Sequence, residues 1–245
     1  MKNPVATTWL ISFQQIQDRN PLAADYMTFI SCIKEQDIPL DLLPLASEFY
    51  KTEALCTLKA FRFIKERISS TSYDMHRLVH TAMQNWLKLK NEWRSWHRKS
   101  LRQISNTFPW PQHKNRAVWM IYLPHAQCII ATFNKGLSRT KETKELLWTL
   151  LHNLGECSQI NGQYTEAEAM NRQTLQLKET VLEKEHPDTL VSINNLAICS
   201  GEIRRSLTLV RMRMSKQPEG VKVRKTSECW HSSLWWSFQA IPWHV

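Results

Sequence analysis

The stretch from Tyr73 to Leu87 contains the residues of this sequence whose types and spacing most suggest chemistry. His76 and His80 are four residues apart, so a helix would place both imidazoles on one face. Zinc proteases use such a pair in the pattern HExxH, where the intervening Glu acts as the base. Here Arg, Leu, Val separate the two histidines, and no third ligand is suggested. We therefore predict no metal site and expect His80 to pack in the core beside Met83.

Other catalytic patterns are missing from the sequence. No Ser lies in a GxSxG elbow, and the six cysteines form no CxxC pair. We predict no catalytic residue. The sequence shows no signal peptide and no apolar run of the roughly 18 residues that a membrane span needs. We expect an intracellular, cytoplasmic protein with reduced, buried thiols.

A small unit over residues 5–90 would have to position the two histidines. Asn20 followed by Pro21 predicts a helix start. Ile64, Glu66 and Ile68 alternate with basic residues, as in a strand, and a Ser-rich turn leads to a returning strand from Tyr73. Three helices, a β-hairpin and a further helix predict a winged-helix-like unit within a mainly α-helical chain.

Residues 91–142 are predicted to form a helical linker, with a break at Pro124. Residues 86–116 hold eight lysines and arginines against one acid, within a net charge of +10. Trp86, Trp93 and Trp96 could stack on bases, but their spacing of seven and three favours a buried helical stripe. We therefore do not predict a nucleic-acid partner.

An internal repeat begins near residue 146. Asn153, Leu154 and Cys157 recur 42 residues later as Asn195, Leu196 and Cys199. Gly162 permits a turn between two helices, and the small Gly155 would let the second helix pack closely. A helix–turn–helix period of this length indicates an α-solenoid.

The repeated segment resembles the tetratricopeptide repeat in its long form, as found in kinesin light chains and fungal "HPDTL" repeat proteins. Leu154, Gly155, Gly162 and the pair Tyr164 and Ala167 match the family signature. The family usually has an aromatic residue and an Ala where this chain has Asn171 and Thr174. The resemblance covers about residues 143–200, as one full and one partial repeat.

Such repeats bind proteins or peptides on a concave face lined by the first helix of each repeat. By the family pattern, the polar residues lining it here would be Thr149, His152, Asn153, Glu156, Gln159, Asn194 and Asn195. An Asn amide can donate to and accept from a peptide backbone at once. The alternative is that these polar residues are only solvated.

The region before the repeat resembles the end of an NB-ARC module, as in the STAND, or NLR-like, signalling proteins. The stretches that carry the resemblance are Thr7–Pro44, Leu55–His80 and Phe108–Ala126. In that family the motif "MHD" closes the winged-helix domain, and its His contacts the β-phosphate of ADP. Met75 and His76 match the motif, and Arg77 replaces the Asp. The resemblance thus implies His76 and Arg77 as nucleotide-sensor residues.

The sequence contains no GxxxxGK[ST] loop, so we predict neither NTPase activity nor a cofactor for this chain. ADP or ATP with Mg²⁺ would be bound only in a full-length relative, whose nucleotide-binding core we expect upstream of Met1.

Residues 201–245 form a divergent, basic, Trp-rich tail, with two interpretations left open. The tail could be disordered and contact a membrane interface, or it could be an out-of-frame product. We interpret the chain as a protein-interaction and regulatory module of a truncated NLR-like protein. The alternative is a kinesin-light-chain-like cargo or scaffold adaptor.

Overall fold

The computed structural model describes residues 4–68, 71–134, 140–182 and 186–215, and these are mainly helical. The helices are α1 (Pro4–Arg19), α2 (Pro21–Ile30), α3 (Glu48–Ala60), α4 (Arg77–Leu89), α5 (Trp93–Thr107), α6 (Arg116–Asn134), α7 (Lys141–Ile160), α8 (Tyr164–Glu179) and α9 (Pro187–Ser215). Short 3-10 turns occupy Leu40–Leu42 and His113–Asn115. The strands are β1 (Ile38–Pro39), β2 (Ile64–Glu66) and β3 (Ser72–Met75). One compact unit ends at Ile203 and another begins at Arg204.

Local sequence signals explain where several helices begin and end. The Asn20 side chain accepts from the Ala23 N–H at 3.1 Å and caps α2, which confirms the predicted start. Three helices end in the same way, with a left-handed residue after the last turn: Arg62 after α3, Asn91 after α4 and Gly162 after α7. Glycine adopts that conformation without strain, whereas an Arg is an unusual choice there.

The predicted hairpin is present, and a third strand joins it. β2 pairs antiparallel with β3 in a register that places Ile64 opposite Met75. β1 pairs with the other edge of β3, which gives the strand order β1-β3-β2. Asp37 anchors this edge because its N–H donates to the Asp74 carboxylate at 2.7 Å. The sequence indicated only a helix break around β1, since a strand of two residues has no periodicity of its own.

The connector between α2 and β1 is held by hydrogen bonds from distant elements. From α4, Gln84 donates to the Ser31 carbonyl at 3.0 Å and His80 bonds the Ile33 carbonyl at 2.9 Å. From α6, His125 Nε2 bonds the Asp37 carbonyl at 3.0 Å. The two buried histidines thus satisfy backbone carbonyls that would otherwise be costly to bury.

A single cluster of buried apolar side chains runs from Phe13 in α1 to Leu177 in α8. Trp86, Trp93 and Trp96 pack partly buried against it. The prediction of one helical stripe is wrong, however, because Trp86 lies on α4 whereas Trp93 and Trp96 lie on α5. α5 and α6 pack on α7 and so join the repeat to the preceding helices. The divisions at residues 90 and 142 stay predictions.

The predicted break in the linker is wrong, because Pro124 lies inside the continuous helix α6. Proline removes one backbone donor from the helix, and such a loss can be offset by packing. Here α6 buries an apolar face on both sides of the proline, with Trp119 and Tyr122 before it and Ile129 and Phe133 after it. The packing of that face explains why the helix continues.

The predicted tail begins as helix, since residues 201–215 continue α9. Residues 216–245, on which the disordered and out-of-frame interpretations mainly depend, lie outside the described part of the chain.

Candidate functional site

His76 lies between the end of β3 and the start of α4, where it is the N-cap residue of the helix. Its Nδ1 accepts from the Leu78 N–H at 3.2 Å, so the neutral ring carries its proton on Nε2. The indole of Trp9 lies beside the imidazole, with 6.0 Å between ring centroids. The side chain is exposed, so the Nε2–H is available as a donor.

His76 lines a surface depression of about 560 Å³ next to the hairpin. Its other lining residues are Lys59, Arg62, Ile64, Lys65, Glu66, Asp74 and Met75. Lys59 pairs with Glu66 at 3.0 Å, and Asp74 accepts from the Asp37 backbone. Among the described residues, Arg62 and Lys65 have no ion-pair partner. The depression therefore has an excess of positive charge that suits an anion.

Arg77 is the first residue of α4 and is exposed, but it does not line this depression. The structure thus separates the two residues of the predicted sensor: His76 borders the depression, whereas Arg77 lies outside it.

His80 is turned the other way, into the core. Only 8% of its surface is exposed, and its Nε2 donates to the Ile33 carbonyl. Burial lowers the pKa of His80, with a smaller opposing effect from that hydrogen bond. The two histidines therefore share no common ligand position. In the described residues, no three His, Cys, Asp or Glu side chains lie together as a metal site would require.

The predicted peptide groove follows one face of α7. Thr149 is exposed, while His152, Glu156 and Gln159 are half-buried along the same face. Burial lowers the pKa of His152, opposed in part by the nearby Glu156 carboxylate. Asn153 is turned into the core with 5% of its surface exposed, and within the described structure its Oδ1 has no hydrogen-bond partner. Asn153 is thus separated from the solvent-facing row.

Trp110, which sequence reasoning missed, stands beside this row. It lies in the connector between α5 and α6 and is 60% exposed, and its ring centroid is 5.9 Å from that of His152. The neighbouring prolines at 109 and 111 are the signal that could have drawn attention to it, because they restrict the backbone around this indole. Trp110 and His152 together form an aromatic border of the predicted groove.

A buried contact between α8 and α9 is made by a residue that departs from the family pattern. Asn171 is buried, and its Nδ2 donates to Cys199 Sγ at 3.3 Å. Its Oδ1 would lie only 3.1 Å from a Cβ added to Gly155 of α7. Gly155 therefore allows the close approach that the sequence predicted, and the amide of Asn171 fills the space that the glycine leaves.

α9 carries the last two predicted groove residues. Asn194 is exposed and Asn195 is half-buried. Between residues 190 and 198 the same helix exposes apolar side chains: Leu190, Val191, Ile193 and Ile198 are each about half exposed, between 45% and 53%. Its inward face instead carries small residues, including Ser192 and Cys199.

Comparison with known proteins identifies the repeat. Residues 146–205 match the tetratricopeptide repeat family, whose members commonly bind proteins or peptides. The chain is also 44% identical, over 193 residues, to a "Nucleotide-binding leucine-rich repeat (NLR)-like protein" of Hyaloscypha variabilis. The aligned region covers 79% of this chain and 19% of that protein, so the chain spans about a fifth of its relative's length. No solved structure matches the chain significantly. No helix in the described residues is long and apolar enough to cross a membrane.

Proposed function

We propose that this chain is a protein-interaction module of an NLR-like signalling protein and that it binds its partner through the repeat. The observation that carries the proposal is the α7–α8 hairpin, whose sequence matches the tetratricopeptide family. The similarity to an NLR-like protein and the helices and sheet before the repeat favour this role over a cargo adaptor built from repeats alone.

The partner surface would be the row of Thr149, His152, Glu156 and Gln159, continued by Asn194 on α9. These side chains offer both hydrogen-bond donors and acceptors to an extended peptide. Trp110 adds an apolar contact at one edge, where its indole is mostly exposed. An extended segment with a large apolar side chain would fit this mixture of polar row and aromatic border.

This surface can be tested by using the unaltered chain and its variants as baits for chemical crosslinking and affinity purification from a fungal lysate. The double variant His152→Ala with Glu156→Ala should lose partners that are specifically crosslinked to the unaltered chain. Glu166→Ala, an exposed carboxylate on α8, is the matched control and should retain them. If the groove pair and the control capture the same proteins, the assignment of the groove is wrong.

The part before the repeat is proposed to be a winged-helix unit. It has helices α2, α3 and α4, and the three-stranded sheet β1-β3-β2 with the β2–β3 hairpin as its wing. In a longer protein that supplies a nucleotide-binding core, His76 would donate its Nε2–H to a nucleotide phosphate. Arg62 and Lys65, at the same depression, would add positive charge near that phosphate.

The same proposal assigns no NTPase activity to this chain, since it contains no phosphate-binding loop motif. Fluorescent ADP titrated with and without Mg²⁺ tests this directly. We expect weak binding that does not depend on Mg²⁺ and that falls with His76→Ala, while the exposed His113→Ala control leaves it unchanged. Tight, Mg²⁺-dependent binding would show that the chain holds a complete nucleotide site.

A further inference from the structure

The turn between α4 and α5 forms a fixed corner with an apolar tip. Asn91 adopts the left-handed conformation, with φ of 59°. The Glu92 N–H donates to the Leu87 carbonyl at 2.9 Å, which locks the turn. Leu87 is fully buried, whereas Leu89 is 81% exposed. The corner therefore presents one large apolar side chain to solvent from a rigid backbone.

Positive charge surrounds this tip. Exposed Lys88 and Lys90 flank Leu89, and exposed Arg94 and Arg98 follow one helical turn apart on α5. In the described structure none of these four has an ion-pair partner.

The acids around the corner leave most of that charge unopposed. The Glu92 carboxylate accepts from Trp96 Nε1 at 3.3 Å. Asp25 lies near Lys99, and Glu142 pairs with Arg102, so both act on basic residues farther along α5.

Two tryptophans lie at the boundary between this basic surface and the core. Trp93 and Trp96 are half-buried against the apolar cluster. Lys88 Nζ lies 4.9 Å from the Trp93 ring centre and Lys99 Nζ lies 4.2 Å from that of Trp96. An ammonium on each ring leaves little room for a stacked base, and base stacking is how aromatic residues contribute to single-strand binding. The arrangement therefore favours a lipid surface over nucleic acid.

We propose that this α4–α5 corner, defined by Lys88, Leu89, Lys90, Arg94 and Arg98, docks on an anionic membrane surface. Leu89 enters the boundary between headgroups and acyl chains, and the four cations contact lipid phosphates and carboxylates. Each basic residue near such a surface strengthens binding about fivefold. The proposal is independent of the repeat and of His76.

Vesicle co-sedimentation of the full chain tests the proposal, with vesicles of phosphatidylcholine alone or mixed with phosphatidylserine. We expect binding only to the mixed vesicles and a loss with added salt. The pair Arg94→Glu and Arg98→Glu should weaken binding at least about tenfold. Leu89→Ser should weaken it severalfold, because the apolar insertion is lost.

Two control variants test whether vesicle binding depends on the corner itself or only on the net charge of the chain and on its other basic segments. The pair Lys141→Glu and Lys144→Glu on α7 makes the same charge change elsewhere and should leave vesicle binding nearly unchanged. Arg94→Lys with Arg98→Lys should keep binding, since headgroup attraction needs charge more than guanidinium geometry. Thermal unfolding by circular dichroism verifies that each variant remains folded.

Three results would overturn the proposal. If the chain binds pure phosphatidylcholine vesicles as strongly as the mixed vesicles, the anionic lipid does not contribute to binding and the proposal is wrong. Corner variants that bind as well as the unaltered chain would place the contact elsewhere in the protein. If the charge reversals abolish binding to single-stranded polyuridine but leave vesicle binding intact, the corner is a nucleic-acid surface.

Discussion

Helices α7 and α9 occupy equivalent positions of the repeat, and the same residue types meet different surroundings in each. Leu154 of α7 is fully buried, whereas its equivalent Leu196 in α9 is half-buried. α7 packs against α5, α6 and α8, while α9 contacts α8 through bonds such as that from Lys178 Nζ to the Asp188 carbonyl at 2.9 Å. Cys157 and Cys199, by contrast, are both fully buried. The repeat motif therefore fixes which residue faces inward at the α8 contact, and neighbouring helices determine how much else is covered.

Acid should have the largest effect on the surroundings of α7, because low pH should destabilise α5 and α6, the helices on which α7 packs. Burial lowers the pKa of His97 in α5 to about 4, and burial also lowers that of His125 in α6. A histidine in the unfolded chain has a pKa of about 6.5. Below that pH the unfolded chain therefore binds protons at these histidines that the folded chain does not bind. The free energy of unfolding should therefore be highest above about pH 6.5 and decrease towards about pH 4. His97 alone should account for about 3 kcal/mol of this decrease.

Urea unfolding at a series of pH values measures this loss. His97→Asn keeps a donor for the Trp93 carbonyl but does not titrate, so it should flatten the profile. His113→Gln, at an exposed position, is the control and should not. An unaltered slope in His97→Asn would mean that other groups control the acid response.

Truncation of the equivalent leucines compares the two helices directly. Leu154→Ala should destabilise the protein by about 2–5 kcal/mol, because it opens a cavity in a closely packed interior. Leu196→Ala should cost about 1 kcal/mol or less, since the half-buried side chain loses fewer contacts. Urea unfolding monitored by circular dichroism gives both values. Equal losses would show that α9 is as well covered as α7.

The contact between Gly155 and Asn171 predicts a substitution whose sign depends on its background. Gly155→Ala alone should destabilise the protein, because its Cβ would lie 3.1 Å from Asn171 Oδ1 and the amide is held by Cys199. In an Asn171→Ala background the same change should stabilise by up to about 1 kcal/mol, the helix preference for Ala over Gly. A double-mutant cycle measures the coupling. Additive effects would contradict the proposed contact.

Thiol labelling gives the smallest and most local measure of the difference. Burial raises the pKa of Cys157 to about 12, and burial also raises the pKa of Cys199. Both thiols should thus react only when their helices open. We expect Cys199 to be alkylated before Cys157, and exposed Cys56 before either, as followed by peptide mass spectrometry. Simultaneous labelling of Cys157 and Cys199 would indicate that α7 and α9 open as one unit.

Signals carried by a few adjacent residues were sufficient to predict much of the fold. Asn20 caps α2 as its sequence context indicated, and Gly162 has the positive φ of 74° that the predicted turn required. The alternation of Ile64 and Glu66 correctly marked a strand, although Ile68, the third residue of the predicted pattern, lies beyond its end. These features depend on backbone preferences that are local to the chain.

Features that depend on distant neighbours were not predictable in the same way. β1 exists because β3 pairs with it, and α6 continues through Pro124 because its apolar face is buried both before and after the proline. The burial of Asn153 and the bond from Asn171 to Cys199 likewise depend on how three helices meet. The sequence predicted the helices that carry the groove residues, but the exposure of each side chain required the assembled core.

The hydrogen bond from His125 to Asp37 spans 88 residues and has a consequence for the order of folding. A chain emerging from the ribosome presents α1, α2 and α3 long before α6 has been made. Until then the Asp37 carbonyl lacks its native partner, and contacts between such distant residues form slowly. We expect the first helices to collapse early but to acquire their native connector only once α6 is synthesised. Arrested nascent chains in which α6 is still inside the ribosome, and longer chains in which α6 has emerged, would differ in protease resistance at residues 31–37.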